Sequence, residues 1–405
     1  MAKKDQPVVL IAGSGIGGLA AALGLASKGV KTTVLEKAAK FGEIGAGFEL
    51  GPNALGALDY LGVGDAARDV GVYVSRLVLM DAVSGREIFH VPVKSDRFVE
   101  RFGNPWATMH RNDLHNVMLT AARQSYLIEL HTGCEVTGYD QSGAQVTAKT
   151  AAGDEFTGAA LVAADGMWSN VRRQMIGDEL NALGHTAYRA LIPSDHIPAG
   201  LDWLRDTTTL WAGPKCHVIT YPLSGTRLIN LVLVSTDKRY APPGPVAGAP
   251  ISNEEVYARF DHTHPRVKGI FTLAPEFKLW AIGDRDPAPK WVDGRVALLG
   301  DAAHPMMQYV AQGACQALED AVCLAHAFET WSGDIDRAFS EYEKRRTVRT
   351  ARVQILSRAV GEHIYHPCGP HADVRDAILS RMSIEEFYDR MIWLWGGNGI
   401  NSQAA

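Results

Sequence analysis

Three short stretches of this chain carry residue types at spacings that suit phosphate and sugar binding. The first is Gly13-Ser14-Gly15-Ile16-Gly17-Gly18, a Gly-x-Gly-x-x-Gly run. Such a run holds a pyrophosphate when a buried strand leads into it and a helix leaves it. Unpaired N–H groups and the helix dipole then face the anion. Val8-Val9-Leu10-Ile11-Ala12 supplies the apolar strand and an Ala/Leu-rich stretch supplies the helix. Gly13 permits the tight turn, Gly15 lets the backbone approach the phosphates, and Gly18 lets the helix pack closely. Glu36 ends a second strand-like run, Lys31-Thr32-Thr33-Val34-Leu35, where an acid can hold a ribose. The second stretch is Asp165-Gly166, at the end of the apolar run Leu161-Val162-Ala163-Ala164; taken alone it also reads as a plain turn. The third is Gly300-Asp301-Ala302-Ala303-His304-Pro305, after Val296-Ala297-Leu298-Leu299. Ligands of open α/β sheets sit beyond the carboxyl ends of strands, so Asp301 is placed to bind sugar hydroxyls.

Two further residues carry chemistry less directly. Arg111 stands where a helix starts, and its guanidinium could pair with phosphate oxygens; taken alone it reads first as a helix surface residue. His217 opens the strand-like His217-Val218-Ile219-Thr220-Tyr221. An imidazole with an ordinary pKa of about 6.5 suits proton transfer, but taken alone His217 reads first as a strand histidine with a simple hydrogen bond.

The elements that must position these residues follow from pattern. A length of 405 residues suggests more than one domain, at roughly 100–200 residues each. The net charge of -5 with no long basic block argues against nucleic acid. Cys134, Cys216, Cys315, Cys323 and Cys368 form no Cys-x-x-Cys pair, so neither a disulfide framework nor a metal site is signalled, and a reducing cytoplasm fits. The residues before the first strand leave no room for a signal peptide. No apolar run approaches the ~18 residues of a membrane span.

The stretch 41–53 is glycine-rich with few charges: either a surface loop, or backbone lying close against a flat ligand. Segments 72–99 and 187–281 show strand patterns that suggest an antiparallel sheet, with a loop at 241–245. Gln312-Gly313-Ala314 opens a long helix. The rest is mostly helical, and Glu343-Lys344-Arg345-Arg346 with Arg349 reads as a solvated helix face. The expected fold is α/β. A Rossmann-type domain of residues 1–71, 100–186 and 282–350 is interleaved with an antiparallel-sheet domain of 72–99 and 187–281. A C-terminal helical region spans 351–405.

The three stretches, in this order and spacing, resemble the single-component (class A) flavoprotein aromatic hydroxylases of the p-hydroxybenzoate hydroxylase fold, over nearly the whole chain. The resemblance implies non-covalent FAD, held by Gly13, Gly15, Ile16, Gly17 and Gly18 at its ADP part and by Glu36 and Lys37 at its ribose. Gly47, Arg111, Asp165, Gly313 and Ala314 complete the implied cofactor set. The acid matching Asp301 binds the ribityl chain, and Pro305 lies near the isoalloxazine ring. Absence of a second glycine fingerprint fits a family in which NADH docks transiently to reduce the flavin.

Within the family, Gly213-Pro214-Lys215-Cys216-His217, the run 304–314 and the ending Trp393-Leu394-Trp395-Gly396 are most similar to the members acting on 3-hydroxybenzoate. The implied reaction converts it to gentisate with NADH and O2. A flavin C4a-hydroperoxide attacks a ring that phenol deprotonation has enriched in electrons. His217 is the implied base, and Gln308 the second hydrogen bond to the phenol oxygen. Salicylate 1-hydroxylation and 6-hydroxynicotinate 3-monooxygenation are the alternatives. Those enzymes tend to carry histidine where this chain has Gln308. A flavin-binding redox sensor without turnover is the alternative outside catalysis.

Trp106 stands where the 3-hydroxybenzoate enzymes carry tyrosine. Met306, Met307, Tyr309, Trp106 and Trp211 are candidates to line an apolar pocket. Arg189 is the candidate donor to the substrate carboxylate. A homodimer is the assembly the resemblance implies.

Overall fold

The apolar run near the start of the chain forms the strand Val8–Ala12, buried from its second residue onward. In the computed structural model, which describes residues 8–42, 47–240 and 246–401, this strand lies at the centre of a six-stranded sheet. Lys31–Glu36 and Ala160–Ala163 flank it in parallel, with Val9 opposite Thr32 and Ala160. Ile128–Thr132 and Val296–Leu298 extend the parallel set, and Val292–Asp293 closes one edge antiparallel. Strands apolar along their length belong in a parallel sheet covered on both faces. The helix Ile16–Ser27 packs against the helix Gly313–Thr330. Gly24 makes that approach close: a Cβ there would lie 3.1 Å from the Ala325 side chain.

A second layer is an eight-stranded sheet running Ala247–Ile251, Phe277–Asp284, Asn181–Pro193, Leu228–Ser235, Cys216–Leu223, Thr207–Gly213, Arg76–Asp81, Glu87–Pro92. It is antiparallel except where Thr207–Gly213 meets Arg76–Asp81. One face buries Trp211, Val218, Leu231 and Phe260 under the helices Asn253–Arg259 and Pro265–Phe271, which the sequence pattern did not announce. The other face lines a cavity between the layers. Residues 43–46 and the expected loop at 241–245 lie outside the described residues.

The expected domain limits cut through continuous elements. Residue 186/187 falls inside the strand Asn181–Pro193, 281/282 inside Phe277–Asp284, and 350/351 inside the helix Ile335–Val360. That helix runs into a π turn, Gly361–Tyr365, and two more helices follow, Pro370–Leu379 and Ile384–Trp395.

The basic stretch on Ile335–Val360 is not the solvated face expected. Lys344 and Arg345 are exposed, but Arg346 and Arg349 are buried. Three residues apart, they share one helix face and meet Glu319 and Asp320 of the helix Gly313–Thr330. Arg346 Nη1 and Arg349 Nε donate to Glu319 Oε2 at 2.6 and 2.7 Å, and Arg346 Nε to Asp320 Oδ1 at 2.6 Å. Arg349 also donates to the carbonyls of Trp393 and Leu394, so the network ties the C-terminal helix to the sheet layer.

Candidate active site

The glycine run is built as its spacing demands. Gly13 has φ +94°, and a Cβ there would lie 2.5 Å from the Ala164 carbonyl oxygen. A Cβ on Gly18 would lie 2.0 Å from the Gly13 carbonyl oxygen, so the turn and the helix that leaves it cannot separate. Glu36 fixes the turn from the neighbouring strand: its Oε2 accepts from Ser14 N and Oγ at 2.8 and 2.7 Å, and its Oε1 from Ala38 N.

A cavity of about 790 Å³ begins at this turn and runs between the layers to His217. Gly15, Ile16, Gly17, Gly47, Arg111, Asp301, Gly313, Ala314, His217 and Gln308 all line it. Gly13, Gly18, Glu36, Lys37, Asp165 and Pro305 do not. Gly13 and Gly18 shape the turn beneath it, and Lys37 is exposed. Asp165 instead accepts from Asn170 N at 3.0 Å, at the start of the helix Asn170–Met175, and burial pushes its carboxyl above the usual range. Pro305 is buried, and its carbonyl accepts from Arg285 N and Gln354 Nε2; Met306 and Met307 take the lining positions.

Strand alternation decides which side chains reach the cavity. On Cys216–Leu223, His217, Ile219 and Tyr221 face it, and Val218 faces the opposite core. Leu210, Ile219, Val232 and Arg189 are cross-strand neighbours in one row, all cavity-lining. Trp211 pairs with Val218 and shares its face, so it lies in the opposite core and not in the pocket. Trp106, Met306, Met307 and Tyr309 do line the cavity.

At the inner end, Arg189 Nη2 donates to Gln308 Oε1 at 2.8 Å, while Arg189 Nε is buried with no partner among the described residues. Burial lowers the guanidinium from its ordinary value. His217 is 2 % exposed, and its Nδ1 lies 2.8 Å from His366 Nε2. Burial, then the neighbouring His366 and His185, hold His217 well below the ordinary imidazole range. The near-neutral value the sequence suggested therefore does not apply, and the ring is neutral at rest.

Two parts of this wall were not legible in the sequence. Tyr365 in the wall, and His366 bonded to His217 behind it, come from the C-terminal region, brought in by the π turn; a Cβ on Gly361 would lie 2.4 Å from the Tyr309 ring. Glu49, one of two acids in the glycine-rich run 41–53, is buried and lines the cavity. Its Oε1 accepts from Trp106 Nε1 at 3.1 Å and Thr208 Oγ1 at 2.9 Å, and burial pushes its carboxyl up to about 7. Trp106 thus has a definite duty at the position of the expected departure.

The cavity suits a long, flat, anionic cofactor. Two helix N-termini open onto it, at Ile16 and Gly313, the second from an 18-residue helix. Asp301 is exposed beside Gly313, and at Gly47 a Cβ would meet Leu223 at 2.6 Å. A profile of the family described as FAD binding domain matches residues 6–354. The chain belongs to this family, the FAD-dependent class A flavoprotein hydroxylases. It is 46% identical over 389 residues to 3-hydroxybenzoate 6-hydroxylase 1 of Aquipseudomonas alcaligenes, covering 96% of this chain and 97% of that one. It is 41% identical over 400 residues to 3-hydroxybenzoate 6-hydroxylase of Polaromonas naphthalenivorans (strain CJ2), covering 99% and 98%. Among solved structures, a salicylate hydroxylase substrate complex superposes with a TM-score of 0.81 at 28% identity, covering 97% and 96%. Klebsiella pneumoniae HpxO, complexed with FAD and uric acid, gives 0.83 at 26%, covering 96% of each chain. This flavoprotein monooxygenase therefore has the p-hydroxybenzoate hydroxylase fold, FAD as cofactor and reduced nicotinamide as reductant. Among the described residues no helix is long and apolar enough to cross a membrane.

Proposed function

We propose that the chain hydroxylates 3-hydroxybenzoate at its 6-position, giving gentisate, with NADH and O2. The observation that carries this reading is the inner end of the cavity, where one neutral base, one amide and one cation converge. His217 is free of charge at rest and open at Nε2, since its Nδ1 is engaged by His366. It takes the proton of the phenol there. Arg189 fixes the amide of Gln308 by its oxygen, leaving the Gln308 Nε2–H to donate to the phenolate. Arg189, with an unpartnered Nε, offers charge-assisted binding to the carboxylate at the other side of the ring. Arg111 adds positive potential to the same cavity.

When bound, FAD reduced by NADH supplies with O2 the electrophilic oxygen that the ring receives. Gly15, Ile16, Gly17, Gly313 and Ala314 would hold its phosphates and flavin edge with backbone N–H groups. Glu36 and Asp301 would hold its sugar and ribityl hydroxyls, with Lys37 and Asp165 nearby. Apolar walls from Met306, Met307, Tyr309 and the C-terminal helices exclude water, which strengthens each polar contact inside. The likeness to the two 3-hydroxybenzoate 6-hydroxylases supports the substrate assignment. The five free cysteines support a reducing cytoplasm as the site of action, and a homodimer is the proposed assembly.

The test is NADH oxidation by the FAD-loaded protein with 3-hydroxybenzoate or salicylate, with products identified by chromatography. Gentisate from 3-hydroxybenzoate is expected. Catechol from salicylate, with no gentisate, would overturn the substrate and the role given to Gln308. Oxidation stimulated by neither would return the substrate to unknown.

A further inference from the structure

His217 cannot keep the proton it takes. Its ring is 2 % exposed, and two imidazoles but no carboxylate surround it, so a resident imidazolium there is unfavourable. The group bonded to its Nδ1 is therefore decisive, and that group is His366, half-buried where His217 is buried. The two rings lie 5.0 Å apart at 28°, and the bond between them is 2.8 Å. His366 is held in place by two backbone bonds: its N–H closes the π turn on the Gly361 carbonyl at 3.0 Å, and its carbonyl accepts from Lys215 N at 3.5 Å. A π turn at the end of a long helix often marks a functional position. Among the described residues, the rest of the surrounding is polar but offers no carboxylate in contact. His185 lies 6.0 Å from the His366 ring and bonds Tyr309 Oη at 2.7 Å; Tyr365 packs against His217 at 5.2 Å. The more distant charges are Asp284 and Lys238, which act on His185 with opposite sign.

We infer that His366 is the second member of a two-histidine relay that carries the substrate's phenolic proton from His217 to solvent. The step rests on His217 acting as the base proposed above. The phenol O–H bond breaks as His217 Nε2–H forms. His217 Nδ1–H breaks as His366 Nε2–H forms, and the proton on His366 Nδ1 leaves to water. No oxidant or reductant is involved, and exchange of tautomers in both rings restores the starting state. Removing the proton to bulk also leaves the phenolate facing the Gln308 amide without a competing imidazolium. His366 is thus a positioning and relay residue, since it reaches the substrate only through His217.

Stopped-flow mixing of the FAD-loaded, oxidised enzyme with 3-hydroxybenzoate tests this without turnover. A pH-indicator dye reports proton release, and the ultraviolet band of the phenolate reports deprotonation. His366→Gln keeps a hydrogen-bonding partner for His217 but passes no proton. The expected result is that both signals slow by about 100-fold, with substrate KM and FAD content unchanged. His366→Ala is expected to be equally slow and to recover with added imidazole. Wild-type rates in His366→Gln would overturn the relay. So would a slow His366→Gln with raised KM or lost FAD, which would mark a structural role only. His217→Ala separates the two claims. Normal phenolate formation without His217 removes the base and the relay together. Loss in His217→Ala with none in His366→Gln leaves the base standing and removes the relay alone.

Discussion

Two of the buried histidines, His304 and His217, stand in opposite surroundings. His304, on the cavity's underside, bonds Asp320 Oδ2 at 2.6 Å, and Asp320 in turn meets Arg346. The cluster extends through Glu319 to Arg349 and Asn53. Burial alone would raise Asp320 and Glu319, but the arginines, with His304 beside Asp320, outweigh it and hold both below the usual carboxylate range. His217 meets only His366, His185 and phenols, and all three imidazoles lie below their ordinary value, burial first among the causes. A histidine locked to a carboxylate fastens elements together. One left among neutral partners can accept a proton and let it go. Residue type does not distinguish the two; the charge placed beside each ring does.

The largest expected effect sharpens the fastening side. Arg346→Met leaves Glu319 and Asp320 short of a buried cation, and removing one partner of such a network costs about 3–5 kcal/mol. Urea unfolding should show that loss, and a cost under ~1 kcal/mol would contradict the role. The two sides also differ in pH. The depressed carboxylates contribute stability that is complete above the unfolded value near 4 and is lost as pH falls through their folded values. The depressed imidazoles act earlier: below about 6.5 the unfolded chain takes up protons that the folded cluster refuses, so stability falls with pH. Unfolding measured from pH 7 to 3 should show two limbs. Arg346→Met should flatten the lower and His366→Gln the upper.

On the proton-handling side, His217→Ala should lower kcat by about 100-fold or more while FAD content and unfolding midpoint stay unchanged. Equal loss of FAD would move His217 to the fastening class. A smaller effect is expected of Arg189→Met: KM for 3-hydroxybenzoate should rise roughly tenfold, as a charge-assisted hydrogen bond is lost, with kcat less affected because Gln308 remains. An unchanged KM would release Arg189 from the carboxylate.

What could be read from the sequence was local. The Gly13–Gly18 turn, Glu36 and the Gly300-Asp301 strand end each sit inside one continuous segment, where spacing sets geometry. Trp211 shows where local reading stops short: its strand was visible, but only pairing with Val218 shows which face it takes. Arg346 and Arg349 looked like a wet helix face because their partners lie 26 to 30 residues earlier, on another helix. Nothing in the run Gly361 to His366 signals a π turn, so the C-terminal share of the cavity wall stayed hidden. Glu49 carried no more signal than Glu43 in the same glycine-rich stretch, and only its burial turns it into a finding.

The central claim is that His217 removes the phenol proton. An ordinary phenol, with a pKa of about 10, is protonated at pH 7. The most direct measurement is the rate at which the ultraviolet phenolate band forms when 3-hydroxybenzoate is mixed with the oxidised FAD-loaded enzyme at pH 7, in wild type and His217→Ala. The account predicts a band that forms about 100-fold more slowly in the variant. Equal rates in both would contradict it.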